Sequence, residues 1–210
     1  DPASPRCDAF YDAMARLQVP LITHAGEEKA VHAEERQRLG NPLKVRRPLE
    51  RGVTTVVAHC ACLGQNPDLD QGEHGPFVDN FQLFKRLMGE QEWKGKLWGE
   101  VSAMTIVNRV GAPLREVLTE EVFRDRLVNG SDYPLPAINV LMQTRAVEAE
   151  GFITREQRGY LNEIDQHDPL LFDFVMKRCL RAGQFRLPEA TFMVRPEVFP
   201  RLSSKEGENR

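Results

Sequence analysis

Long apolar runs are missing from this chain of 210 residues. No stretch approaches the ~20 residues that a membrane-spanning helix needs, so a membrane partner is not expected. Cysteine is scarce as well. Cys7, Cys60, Cys62 and Cys179 are too few for a disulfide framework, and the expected compartment is a reducing cytoplasm. Charge of one sign is not in excess: 28 Lys and Arg stand against 31 Asp and Glu, a net charge of −3. No basic face emerges for nucleic acid. The one locally basic run, "KVRRPLER" (44–51), reads as a solvated helix surface. There is no internal repeat, no low-complexity segment and no charged-apolar-small leader pattern. An initiator methionine is lacking too. The opening "DPASPRCDAF" places Ser4 as an N-cap and Pro5 at the first helical position, which predicts a loop entering a helix.

What is present is ordinary for a globular protein, with 41% apolar and 28% charged residues. Helical spacing covers 5–17, with Phe10, Met14 and Leu17 as its stripe. Further helices are predicted over 27–39, 77–89, 112–126, 137–150, 154–164 and 167–183. The last, "HDPLLFDFVMKRCLRAG", is apolar nearly all round and reads as buried. Between the helices lie four short apolar runs: "VPLITH" (19–24), "VTTVVAH" (53–59), "KLWGEVSAM" (96–104) and "RLVNGSD" (126–132). They lack the alternation of a half-exposed strand, as parallel strands covered by helices do. The alternating order predicts an α/β fold.

Three of those strands end on a side chain able to bind metal: His24, His59 and Asp132. Ligands collect at the carboxyl ends of parallel strands in α/β folds, so residues far apart in sequence would converge there. Imidazole and carboxylate together suit a divalent ion such as zinc. One such histidine alone would be read as structural; three strand ends in chain order carry the argument. Counting every second residue back from each end puts Thr55 and Val57, Val128 and Gly130, and Pro20 and Ile22 on the same inner face.

The stretches "PLITHAGEE", "VVAHCA", "LVNGSDYPLP" and, more loosely, "DPLLFDFVMKRCL" resemble the amidohydrolase superfamily, in its branch of TIM-barrel metal-dependent hydrolases. That resemblance implies strands five to eight of a (β/α)8 barrel over residues 1–202, the later half of one domain, with 203–210 as a polar tail. It implies His24 as a metal ligand, His59 as a ligand or water-orienting residue, and Asp132 as a ligand that handles the proton of the attacking water. The implied chemistry is hydrolysis of a small amide, ester or lactone with a divalent metal, zinc by preference. Non-oxidative decarboxylation on the same scaffold is one alternative, and a catalytically silent binding module another. The family's His-x-His pair is absent from these 210 residues, and four strands do not close a barrel, so the chain is expected to be part of a longer protein. Pairing with a second copy would also cover the open sheet edges.

Weaker candidates for substrate contact are His74, Glu27, Glu100 and Arg109. His74 lies in the loop 63–77 that is expected to cover the site, and Glu27 doubles as a first-turn helix acid. Glu100 or Ser102 would face the interior. Arg109 could meet an anionic substrate group, with an exposed ion pair as the competing role. His32 and His167 read as surface and structural residues. "HCAC" (59–62) lacks a second cysteine pair at zinc-site spacing, so Cys60 and Cys62 read as buried thiols.

Overall fold

The computed structural model describes residues 1–27 and 34–200. The polar tail 203–210, His32 and the rest of 28–33 in the helix expected over 27–39 lie outside the described residues; 34–40 form a 3-10 turn. The fold is α/β. Four parallel strands, β1 (Leu21–His24), β2 (Thr55–Ala58), β5 (Leu97–Glu100) and β6 (Leu127–Val128), form one sheet in chain order. Two three-residue strands, β3 (Gln65–Pro67) and β4 (Phe77–Asp79), form a separate antiparallel hairpin.

The helices are α1 (Asp8–Arg16), α2 (Arg46–Glu50), α3 (Asn80–Gly89), α4 (Ala112–Thr119), α5 (Thr144–Ala149), α6 (Arg155–Asp165) and α7 (Pro169–Cys179). Their starts follow local chemistry. Thr154 closes a capping box with Gln157 on α6, and the Asp168 carboxylate accepts from the N–H groups of Leu170 and Leu171 on α7. Several expected elements shrink. The helix expected over 137–150 survives only as α5, and 112–126 breaks after Thr119 into a 3-10 turn. On α1 the buried residues are Tyr11 and Met14, while Phe10 and Leu17 are exposed.

The main core lies on the helix side of the sheet, where Val57, Leu97 and Leu127 meet Phe84, Phe123, Phe152 and Phe172. On the opposite face Val198 and Phe199 pack on Val56, Trp98 and Val128. The register corrects one expectation. Ile22 pairs with Val56 and Val56 with Trp98, while His24 pairs with Ala58 and Glu100 with Val128. Thr55 and Val57 therefore face the helices, not the inner side. The reason is local: β2 stops at Ala58, and His59 turns into the left-handed region, so a count of alternate residues back from His59 is out of step by one.

The run 44–51 is a helix only over α2. Val45, Pro48 and Leu49 are buried there, and its arginines are neutralised by carboxylates from other elements. Helix α7 is not buried all round. Phe172, Asp173, Met176 and Lys177 face inward, whereas Leu170, Leu171 and Phe174 are exposed. No helix among the described residues is long and apolar enough to cross a membrane.

Candidate functional site

At the carboxyl ends of the parallel strands lies an open cavity of about 430 Å³, lined by Ile22, His24, His59, Glu100, Gly130 and Asp132 among others. The three strand-end residues meet here. The His24 and His59 rings are 5.5 Å apart, centre to centre, and nearly edge-on. His59 Nε2 lies 3.6 Å from Asp132 Oδ2.

Backbone conformation concentrates at this rim. His59, Cys60 and Ala61 are consecutive non-glycine residues with positive φ (54°, 49° and 54°), and Ala103 (50°) and Asp132 (55°) add two more. Gln18 is the only other non-glycine residue with positive φ among the described residues. Each such residue costs about 1–2 kcal/mol, so the turns at 59–61, 103 and 132 are held against strain.

Glu100 does much of the holding. Its carboxylate accepts from the Ser102 backbone N–H and hydroxyl, both at 2.6 Å, and from the His59 N–H at 3.3 Å. The residue is 8% exposed. It is thus a positioning residue joining β2 to β5, and it faces the cavity interior as the sequence suggested. It also explains Gly130: a Cβ there would collide with Glu100 Oε1. Behind Gly130, Lys177 donates to the Gly130 carbonyl at 2.5 Å and to Asp173 Oδ2 at 2.6 Å, with side-chain exposures of 1% and 2% for the pair. Burial pushes the Asp173 carboxyl up, against the pull of Lys177.

His59 is itself buried. Burial is the chief cause that lowers its pKa; the Arg109 charge adds to this, while Glu100 and Asp132 oppose it. Its Nδ1 is 3.1 Å from the Ser102 carbonyl and 2.8 Å from the Ser102 hydroxyl, whose proton goes to Glu100. A carbonyl can only accept, so Nδ1 carries the hydrogen and Nε2 presents a lone pair. That lone pair faces the Asp132 carboxylate. Two acceptors facing each other call for a cation or a water proton between them. A divalent ion at about 2.0–2.2 Å from each would span the gap, and a carbonyl holding the far nitrogen is the usual support of a metal-bound imidazole. His59 and Asp132 therefore fit as part of a metal site, with His24 adjacent. Among the described residues no group of three or more His, Cys, Asp and Glu is arranged to hold a metal ion.

The weaker candidates scatter. His74 is exposed and lines a different cavity beside Leu43, Lys44 and Arg46. Its loop does not cover the site, because the β3–β4 hairpin folds it back. Asn41 Nδ2 donates to the Pro67 carbonyl at 2.8 Å, and Arg86 grips Asp68. Glu27 follows β1 and donates its backbone N–H to the Leu63 carbonyl at 2.8 Å; it does not line the cavity. Arg109 is not an exposed ion pair. It is 7% exposed, and its Nε and Nη1 are buried without a hydrogen-bond partner.

Cys60 and Cys62 are buried free thiols, raised in pKa chiefly by burial, that of Cys62 to about 11. They lie in and just after the left-handed turn at 59–61 and do not line the cavity. The sequence reasoning passed over Lys177 and Asp173. Two opposite charges at i and i+4 within an apolar helix were the available signal. Comparison with protein families, with curated proteins and with solved structures finds no match to this chain.

Proposed function

We propose that the rim formed by His24, His59 and Asp132 is the active site of a metal-dependent hydrolase acting on a small carbonyl compound, and that the parallel sheet is the later half of a (β/α)8 barrel. The observation that carries the reading is the His59 lone pair facing the Asp132 carboxylate in a strained, buttressed rim. A bound divalent ion, zinc by preference, would supply Lewis acidity and an acidified water. His59, Asp132 and His24 would hold it. Asp132, whose side chain is 35% exposed, stands on the cavity side and can take a proton from an attacking water and return it to the leaving group. The neutral His59, locked by Ser102 and Glu100, orients without competing for that proton. Strands in chain order, all parallel, with their carboxyl ends forming the site, are what half of such a barrel would present.

Non-oxidative decarboxylation of an acid remains the second reading, favoured by one observation, the unpaired buried cation at Arg109. Titration of the metal-stripped protein with zinc, followed by turnover of aryl ester, lactone and carboxylic acid substrates, tests both. Zinc should bind, and His59→Ala and Asp132→Asn should each weaken it about 10–100-fold and abolish turnover. Carbon dioxide release instead of hydrolysis would select the second reading. Unchanged zinc binding and turnover in both variants would sink the site assignment.

A further inference from the structure

We propose that Arg109 is the receptor for a carboxylate on a small-molecule ligand that reaches the protein from the carboxyl-end side of the sheet. The residue lies in the segment between β5 and α4, on the carboxyl-end side of the sheet, where the chain leaves Glu100 and Ser102. Its backbone is fixed, the N–H donating to the Ile106 carbonyl at 2.9 Å. Its guanidinium is buried, yet among the described residues it forms no side-chain hydrogen bond and no ion pair. Arg126 is a useful contrast. Its Nη1 also lacks a partner, but its Nη2 donates to the Met88 and Val122 carbonyls, so that charge is held within the fold.

A guanidinium stays ionised, and burying it unpaired costs far more than leaving it in water. A carboxylate gripped in a fork uses two neighbouring nitrogens of the group, and every such pair on Arg109 includes at least one donor that the protein leaves unclaimed. Arg109 is not one of the residues lining the cavity, but its charge is near enough to act on both His59 and Cys62. Two other charged groups at the rim are already engaged. Glu100 is taken by Ser102 and His59, and Lys177 by Gly130 and Asp173. Arg109 therefore destabilises the ligand-free fold and is suited to an anion arriving from outside.

The inference rests on the proposed active site only for where the carboxylate-bearing molecule lies. Its test needs neither metal nor turnover. Thermal melting of the metal-stripped protein is followed with benzoate and with neutral benzamide at fixed ionic strength. Benzoate should raise the melting temperature and benzamide should not. Arg109→Met should melt about 2–4 °C higher than the unaltered protein without ligand, since it removes an unpaired buried charge, and should lose the benzoate response. Arg109→Lys should keep a reduced response, having the charge without the fork. A lower melting point for Arg109→Met with an intact benzoate response, or a protein that responds to inorganic phosphate and not to benzoate, would overturn the proposal. If zinc fails to bind but the benzoate response appears and depends on Arg109, the hydrolase reading falls and this one stands.

Discussion

Two basic regions of this molecule treat arginine in opposite ways. Around α2, each cation meets a carboxylate: Arg46 meets Asp70 and Glu90, Arg47 meets Asp8, and Arg51 meets Asp12. Arg86 on α3 grips Asp68 and Asp70 in the same way. These pairs tie α1, the β3–β4 hairpin and α3 to one another, and their work is finished inside the fold. At the sheet's carboxyl rim the pattern reverses. An imidazole lone pair faces a carboxylate, three successive residues sit in the left-handed region, and Arg109 is buried without a partner. Local rules broken together at one rim, and only singly elsewhere, as at Gln18 and Arg126, mark the place where stability has been given up for something else.

The largest test of that contrast is Lys177. It sits under the rim but is paired with Asp173 and the Gly130 carbonyl, so it should behave like a structural pair. Lys177→Met leaves Asp173 buried without its cation and should cost about 3–5 kcal/mol in urea unfolding. Replacing both partners, Asp173→Asn with Lys177→Met, should recover most of that loss. A single variant costing under about 1 kcal/mol would show that the pair contributes little, against the expectation for buried ions. Next in size is Gly130→Ala. The added methyl meets Glu100 Oε1, so Glu100 must move, and a loss of about 1–3 kcal/mol is expected. Because Glu100 also fixes Ser102 and the His59 N–H, the same variant should weaken zinc binding. Full zinc affinity in a folded Gly130→Ala protein would remove Glu100 from its positioning role.

What could be read from the sequence was the set of parallel strands and the convergence of His24, His59 and Asp132 beyond them, because apolar runs between helices are a strong signal; the ends themselves were read too long, as β6 stops at Val128, four residues before Asp132. The inward residues of β2 were misjudged for a physical reason: parity holds only while the strand continues, and His59 already lies in a turn. The hairpin was missed because three residues in each strand carry no period. Its effect was large, since it carried His74 away from the site. Arg109 was weighed as an exposed ion pair because sequence shows charge but not burial. Glu100 was placed on the right face, but its positioning role was not legible, because two of its three donors, Ser102 NH and His59 NH, are backbone groups that every sequence contains.

The smallest predicted effect tests the paired region. Arg46 is partly buried between Asp70 and Glu90, so Arg46→Met should cost about 1 kcal/mol or less, and the loss should shrink as salt is added. The companion pH measurement has a definite sign. Hydrogen bonding from Arg86 holds the Asp68 carboxyl far below its ordinary value of 3.8. A group depressed on folding contributes stability above its unfolded pKa and loses it as pH falls through the folded one. Stability should therefore decline on acidification below about pH 4, and the decline should be shallower in Asp68→Asn, which has no proton to take up. An identical acid limb in Asp68→Asn would show that the Arg86 pair does not set it. That would break the claim that this region's charges do structural work and leave the rim as the site with unexplained ones.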